Sequence, residues 1–401
     1  MSANSGSGDE FDRSGSGGGS TGGGLGTGRP GDLEKSGSGG GSTGGGLGFA
    51  PPRSGSGGGS TGGGLGVPRI TRTDRVRAAL AGEVLDRVPV CFWHHFKPEG
   101  SGRRLAELTL EFFDDKFDLD ICKIMPDLPY PFPRKSIRDA NGWRMLEPLD
   151  LARSPFVQQR LRSIEHLRAA LGDSTPIIMT VFSPLTEALN FCADQETFLR
   201  HIAEQPAVVH GALETIAQNL GDAMELYIDA GADGVFFSIM GAMTETPPGQ
   251  RYNPNKTPTH NYSGLGEMRY REFGKPYDLM ALRRASDGWL NILHHHGDAN
   301  LLMPLVLDYP VQVLSWSDRL TGQSLAELSG MTNKALMGGW HEFGALSNGP
   351  VEQIRAEAED AIAQTNGGQR LILANGCSVP DATDEQWLHA ARTIADGLIT
   401  K

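Results

Sequence analysis

The run Pro206–Met240, PAVVHGALETIAQNLGDAMELYIDAGADGVFFSIM, contains one complete helix-to-strand unit. Pro206–Ala230 has helical period, and Gly231 stands where a helix C-cap is expected. Asp233–Ser238 is then a short β-rich apolar run. The same alternation recurs along the chain. Strand candidates precede it at Val88–Trp93, Leu119–Met125 and Pro176–Phe182. Others follow at Leu290–His294, Val311–Ser315, Lys334–Gly338 and Arg370–Ala374. Helical stretches such as Tyr277–Trp289, Val351–Thr365 and Asp384–Ile399 separate them. Eight strands alternating with helices predict an α/β fold, a (β/α)8 TIM barrel. A doubly wound open sheet competes, but it usually carries a glycine fingerprint after its first strand. Here that turn reads His94-His95-Phe96-Lys97.

The barrel does not account for the whole chain of 401 residues. Of 54 glycines, 28 fall in residues 1–67, and SGSGGGSTGGGLG occurs there three times, at 14–26, 36–48 and 54–66. Chains this rich in Gly and Ser bury too little apolar surface to offset backbone entropy, so residues 1–67 are expected to be a disordered arm and 68–401 the barrel. A phosphate-binding glycine loop is excluded, since no apolar strand precedes these glycines and no helix with a lysine follows. No run of about 18 uncharged apolar residues occurs, which excludes a membrane-spanning helix. The net charge of -12 argues against nucleic acid or an anionic membrane as partner. Four scattered cysteines do not form a disulfide framework, and no leader pattern opens the chain, so a cytoplasmic protein is expected.

A barrel places its chemistry just after the strands, at the C-terminal face. The polar residues there are His94 and His95, Asp127, Ser238, the His294–His296 run, Trp316 and Asp318, His341 and Glu342, and Cys377. Side chains alternate along an extended segment, so His294 and His296 share a face and His295 points away. Two imidazoles so placed, with Cys377 across the barrel mouth, supply three zinc ligands and leave a fourth position open, the pattern of catalytic zinc. The competing reading is a polar strand end bonded to backbone carbonyls. Cys91, Cys122 and Cys192 are read as core residues. Trp316 and Trp340 either stack on a planar ligand at the mouth or simply pack.

Over residues 70–400 the chain resembles the uroporphyrinogen decarboxylase superfamily. The likeness rests on Arg72-Thr73-Asp74-Arg75-Val76 with Asp86-Arg87-Val88-Pro89-Val90, and on Leu119–Ile124. It continues through Trp316 and Asp318 and through Ile372–Cys377 with Pro380 and Thr383. The resemblance implies a TIM barrel and two competing activities. Cofactor-free decarboxylases hold a tetrapyrrole with an aspartate after the second strand, matched here by Asp127, and with several arginines. Near the first-strand loop this chain offers only Lys97, Arg103 and Arg104 as cations. The family's histidine after the last strand is matched by Cys377, and its tyrosine by Asn190.

The other branch comprises zinc-dependent methyltransferases that move a methyl group between a corrinoid and a thiol, using a His-x-Cys pair and a later Cys. Here His294, His296 and Cys377 match that set, with imidazole in place of one thiolate. The expected function is therefore a zinc-dependent, methyltransferase-like enzyme of the superfamily. Its small-molecule substrate is a thiol or corrinoid-bound methyl group, and a corrinoid protein and a homodimer are the implied partners. The alternatives are a tetrapyrrole decarboxylase and a non-catalytic tetrapyrrole- or corrinoid-binding barrel. Asp127, His94, His95 and Glu342 are the catalytic candidates. Lys97, Trp316, Asp318, Trp340 and His341 are the substrate-binding candidates.

Overall fold

The computed structural model describes residues 70–96, 102–126, 137–248 and 264–398. The arm assigned to residues 1–67 and the candidates Lys97 and Asp127 lie outside these described residues. All eight expected strands form: β1 Val90–Cys91, β2 Cys122–Ile124, β3 Ile177–Phe182 and β4 Gly234–Ile239, then β5 Ile292–His295, β6 Val313–Ser315, β7 Ala335–Trp340 and β8 Leu371–Asn375. Every ladder is parallel, in the order β1-β8-β7-β6-β5-β4-β3-β2. With helices between the strands, this is the nearly closed circuit of a (β/α)8 barrel.

Between β1 and β2 the closure is a clasp made by one residue. The Asp120 N–H donates to the Val90 carbonyl at 2.9 Å. The Val90 N–H in turn donates to Asp120 Oδ2 at 2.8 Å. Asp120 is fully buried, and Arg75 and Arg87 compensate its charge: Arg75 Nη1 lies 2.8 Å from Oδ1 and Arg87 Nη1 2.5 Å from Oδ2. Asp86 anchors the Arg75 guanidinium through Nε at 2.8 Å and Nη2 at 2.5 Å. A buried carboxylate is stable only when paired and hydrogen-bonded, and here every part of that requirement is met.

Strand parity divides the apolar residues into two cores. Cys91, Ile121, Ile178, Phe236, Ile292, Val313, Met337 and Ile372 fill the lumen. Their outward-facing neighbours pack against the helices. The helix expected at Pro206–Ala230 spans Pro206–Asp229, and Gly231 follows it at φ 107°, a conformation that only glycine adopts without strain. The expected helix at Tyr277–Trp289 instead spans Lys275–Leu282 and tightens into a 3-10 turn at Arg283–Ala285. The Asn291 side-chain amide caps that end by donating to the carbonyls of Ala285 and Gly288 at 2.8 and 3.1 Å. Cys91, Cys122 and Cys192 are buried as expected. Among the described residues no helix is long and apolar enough to cross a membrane.

A second buried acid lies behind β4 and β5. Asp278 accepts hydrogen bonds from the Tyr270 and Tyr309 hydroxyls at 2.6 and 2.8 Å. Burial pushes its carboxyl up to about 7, although the tyrosine hydrogen bonds oppose the shift.

Two outcomes are expected. Asp120→Ala leaves two guanidinium groups facing an empty site, so denaturant unfolding should show a loss of about 3–5 kcal/mol. In the unfolded chain Asp278 loses its proton near about pH 3.9, whereas the folded chain holds it to about 7. Folding therefore takes up a proton across that window, and stability falls as pH rises through it. Unfolding midpoints measured from acid to neutral pH should show this fall in the parent protein and a flatter profile in Asp278→Asn.

Candidate metal centre

The site grows from the end of β5. Ile292 and His294 face the lumen, whereas Leu293 and His295 face outward. His295 is buried against the helix layer, its Nε2 2.8 Å from the Ala242 carbonyl. A carbonyl only accepts, so Nε2 carries the proton, and burial holds the ring neutral with a pKa of about 4. His294 stacks on Phe236 at 5.2 Å and meets Trp93 edge-on at 6.1 Å. Its Nδ1 lies 3.2 Å from Ser315 Oγ, which turns Nε2 towards the mouth. The ladder continues one residue past the strand through the His296 N–H to the Ile239 carbonyl at 3.0 Å, which brings His296 back over His294.

Three donor atoms converge there. His294 Nε2 lies 3.2 Å from His296 Nδ1, and His296 Nδ1 lies 3.4 Å from Cys377 Sγ. The donor atoms of all three residues fall within 4.8 Å of one another. Tetrahedral zinc, with bonds of about 2.0 Å to nitrogen and 2.3 Å to sulfur, separates such donors by roughly 3.3 and 3.6 Å. The two separations that include His296 match this spacing, and the three donors are of the types that hold zinc. Burial, reinforced by the nearby His296 and Lys123, holds His294 well below the usual histidine range, so it is the neutral imidazole that a metal requires. Burial and then the Glu342 charge push the Cys377 thiol up to about 12. A cation at the triad reverses that balance and favours the thiolate.

Cys377 is delivered by β8. Gly376 passes so close to the end of β6 that a Cβ there would stand 2.6 Å from Ser317 Cα and 2.8 Å from Glu342 Oε2. Only glycine lets the chain turn at this point and present Cys377 to the lumen. Above the triad opens a cavity of about 550 Å³ at the C-terminal face. Trp93, His95, Thr180, Phe182, Phe236 and Ser238 form much of its wall.

Residues 122–245 and 259–397 match the family described as Uroporphyrinogen decarboxylase (URO-D). The chain belongs to this family. A methyltransferase from Methanosarcina mazei is similar in fold, with a TM-score of 0.60 and 20% identity over 82% of this chain and 99% of that one. A putative vitamin-B12 independent methionine synthase from Listeria monocytogenes is similar at a TM-score of 0.41 and 13% identity, over 70% of this chain and 74% of its own. No curated protein matches the sequence.

In this URO-D chain the remaining candidates separate clearly. His95 lines the cavity. His94 turns to the other side of the same loop, packing at 4.5 Å on Phe96 and 4.6 Å on Phe112, and it borders a different hollow. Glu342 is fully buried behind Cys377, where it accepts from Ser317 Oγ at 2.6 Å. It is a supporting group and does not reach the cavity wall.

The expected ligand-facing roles of Trp316, Trp340 and Asp318 are corrected. Both tryptophans are fully buried among the helices, with Nε1 donating to the Gln323 and Ile354 carbonyls at 2.9 and 3.0 Å. Asp318 ties β6 to β7 by accepting from the Gly339 N–H at 2.9 Å, and burial raises its carboxyl to about 6. The His341 N–H donates to Glu357 Oε2 at 3.0 Å, and the residue is outside the cavity lining. Conversely, Thr180, Phe182, Phe236 and Ser315 carry the site without having been singled out. Their signal was parity, since each lies on the lumen face near a strand end.

Proposed function

We propose that this chain is a zinc-dependent enzyme that transfers a methyl group to a thiol. The observation that carries the reading is the convergence of His294, His296 and Cys377, their donor atoms within 4.8 Å of one another, on the lining of an open cavity. Three protein ligands leave a fourth position for a substrate atom, as in catalytic zinc sites. Bound there, zinc supplies Lewis acidity that favours the thiolate form of sulfur.

The chain's own groups orient and protect that position. Ser315 Oγ fixes the His294 ring, and Glu342 with Ser317 supports the turn that carries Cys377. Trp93, Phe182 and Phe236 keep water away from the sulfur. His95, on the wall, takes the proton that the acceptor thiol gives up as its sulfur gains the methyl group. The methyl donor would be a methylated corrinoid, free or carried by a corrinoid protein, presented at the mouth; its methyl–cobalt bond would break as the carbon–sulfur bond forms, leaving the electron pair on cobalt.

One observation weighs against tetrapyrrole decarboxylation. A substrate bearing many carboxylates calls for several bidentate guanidinium partners. Among the described residues that line the cavity there is neither arginine nor lysine.

Competitive zinc titration tests the assignment. Cys377→Ala should abolish tight binding while circular dichroism still reports a folded barrel. Ser315→Ala, which frees the His294 ring, should weaken zinc about 10–100-fold. Unchanged affinity in both variants contradicts the triad.

A further inference from the structure

A cation lies buried in the lumen beside the triad. Lys123 stands at the middle of β2, between Cys122 and Ile124, which pack outward against the helices. Parity turns its side chain inward, and the residue is 5% exposed. A cage holds the ammonium: Nζ lies 4.1 Å from the Phe236 ring centroid, 5.1 Å from that of Trp93 and 3.1 Å from Met125 Sδ. Aromatic faces attract a cation, but burying a charge among them is still costly, and methionine would occupy similar space without that cost. The same two rings flank His294, and the Phe236 centroid lies 5.2 Å from the His294 centroid. The ammonium is therefore within about 9.3 Å of the His294 ring, the sum of its distance to Phe236 and the distance from Phe236 to His294. It is not part of the cavity lining, so it acts on the site through its field. Both ends of the triad feel that field. After burial and His296, Lys123 helps to hold His294 below the usual histidine range, and it opposes the burial and the Glu342 charge that push the Cys377 thiol up to about 12. Formal charges complete the picture. A zinc ion, the Cys377 thiolate and the buried Glu342 carboxylate sum to zero. Lys123 leaves one positive charge, which a single anion at the open fourth position neutralises, and a low-dielectric interior favours that balance.

We propose that Lys123 sets the charge preference of the metal centre: its ammonium selects an anionic fourth ligand, a thiolate, over a neutral one, without touching that ligand. The inference rests on the triad reading given above. It makes Lys123 a positioning residue for charge, and it separates the lysine's two effects by sign. The same ammonium that attracts an anion to the fourth position repels the metal ion itself.

The test uses the full chain loaded with cobalt(II), whose visible absorption reports both metal uptake and the fourth ligand. Thiocyanate and imidazole are titrated as an anionic and a neutral probe at about pH 8, above the pKa of an imidazole. In Lys123→Met and Lys123→Gln the affinity for thiocyanate relative to imidazole should fall about tenfold. Cobalt itself should bind several-fold more tightly in both, because a nearby cation is gone. Lys123→Arg, which keeps the charge, should retain the parent ratio. A lysine that only packs would give weaker or unchanged metal uptake and equal changes for the two probes. An unchanged thiocyanate-to-imidazole ratio in the neutral variants, or an equal fall in Lys123→Arg, overturns the proposal and leaves the triad standing. Failure of the unsubstituted chain to take up cobalt overturns both.

Discussion

Side chains on a strand alternate between its faces, and in a closed barrel this constraint sorts every strand residue into lumen or mantle. At β5 it turns three consecutive histidines into two chemistries. His294 and His296 face the mouth and meet Cys377, whereas His295 is spent on the Ala242 carbonyl behind the sheet. Shifting β5 by one residue would exchange these roles and dissolve the triad. The metal centre is thus a consequence of register, and register is fixed by the ladders to β4 and β6.

Register in turn requires the barrel to close. The seam between β1 and β2 lacks a ladder and depends on Asp120, which joins the two strands through backbone hydrogen bonds and buries its charge between Arg75 and Arg87. This clasp contains no residue of the cavity. It holds the opposite arc of the barrel so that β8 can bring Gly376 and Cys377 over the lumen.

The fold was legible because eight apolar runs with turn signals between them are hard to reconcile with any other architecture. Of the strand-end candidates covered by the structure, His95, Ser238, His294, His296 and Cys377 line the cavity. The failures at Trp316 and Trp340 are also instructive. Val313 and Ser315 point inward on β6, and Ala335 and Met337 do so on β7. The same alternation therefore sends Trp316 and Trp340 outward, where they join the helix-facing core. Position at a strand end suggested ligand contact, but parity decided against it. Parity places Thr180 on the lumen face, but it does not give the state of its hydroxyl. A threonine within a strand is ordinary, and only the three-dimensional surroundings show that its hydroxyl lacks a partner.

The central claim is a mixed nitrogen and sulfur site made by residues from β5 and from the turn after β8. X-ray absorption at the zinc edge of the zinc-loaded chain reads that donor set directly. The account predicts a four-coordinate centre with two imidazoles and one protein sulfur at about 2.3 Å, and loss of that sulfur shell in Cys377→Ala. A shell of oxygen alone, or a sulfur that persists in the variant, would contradict it.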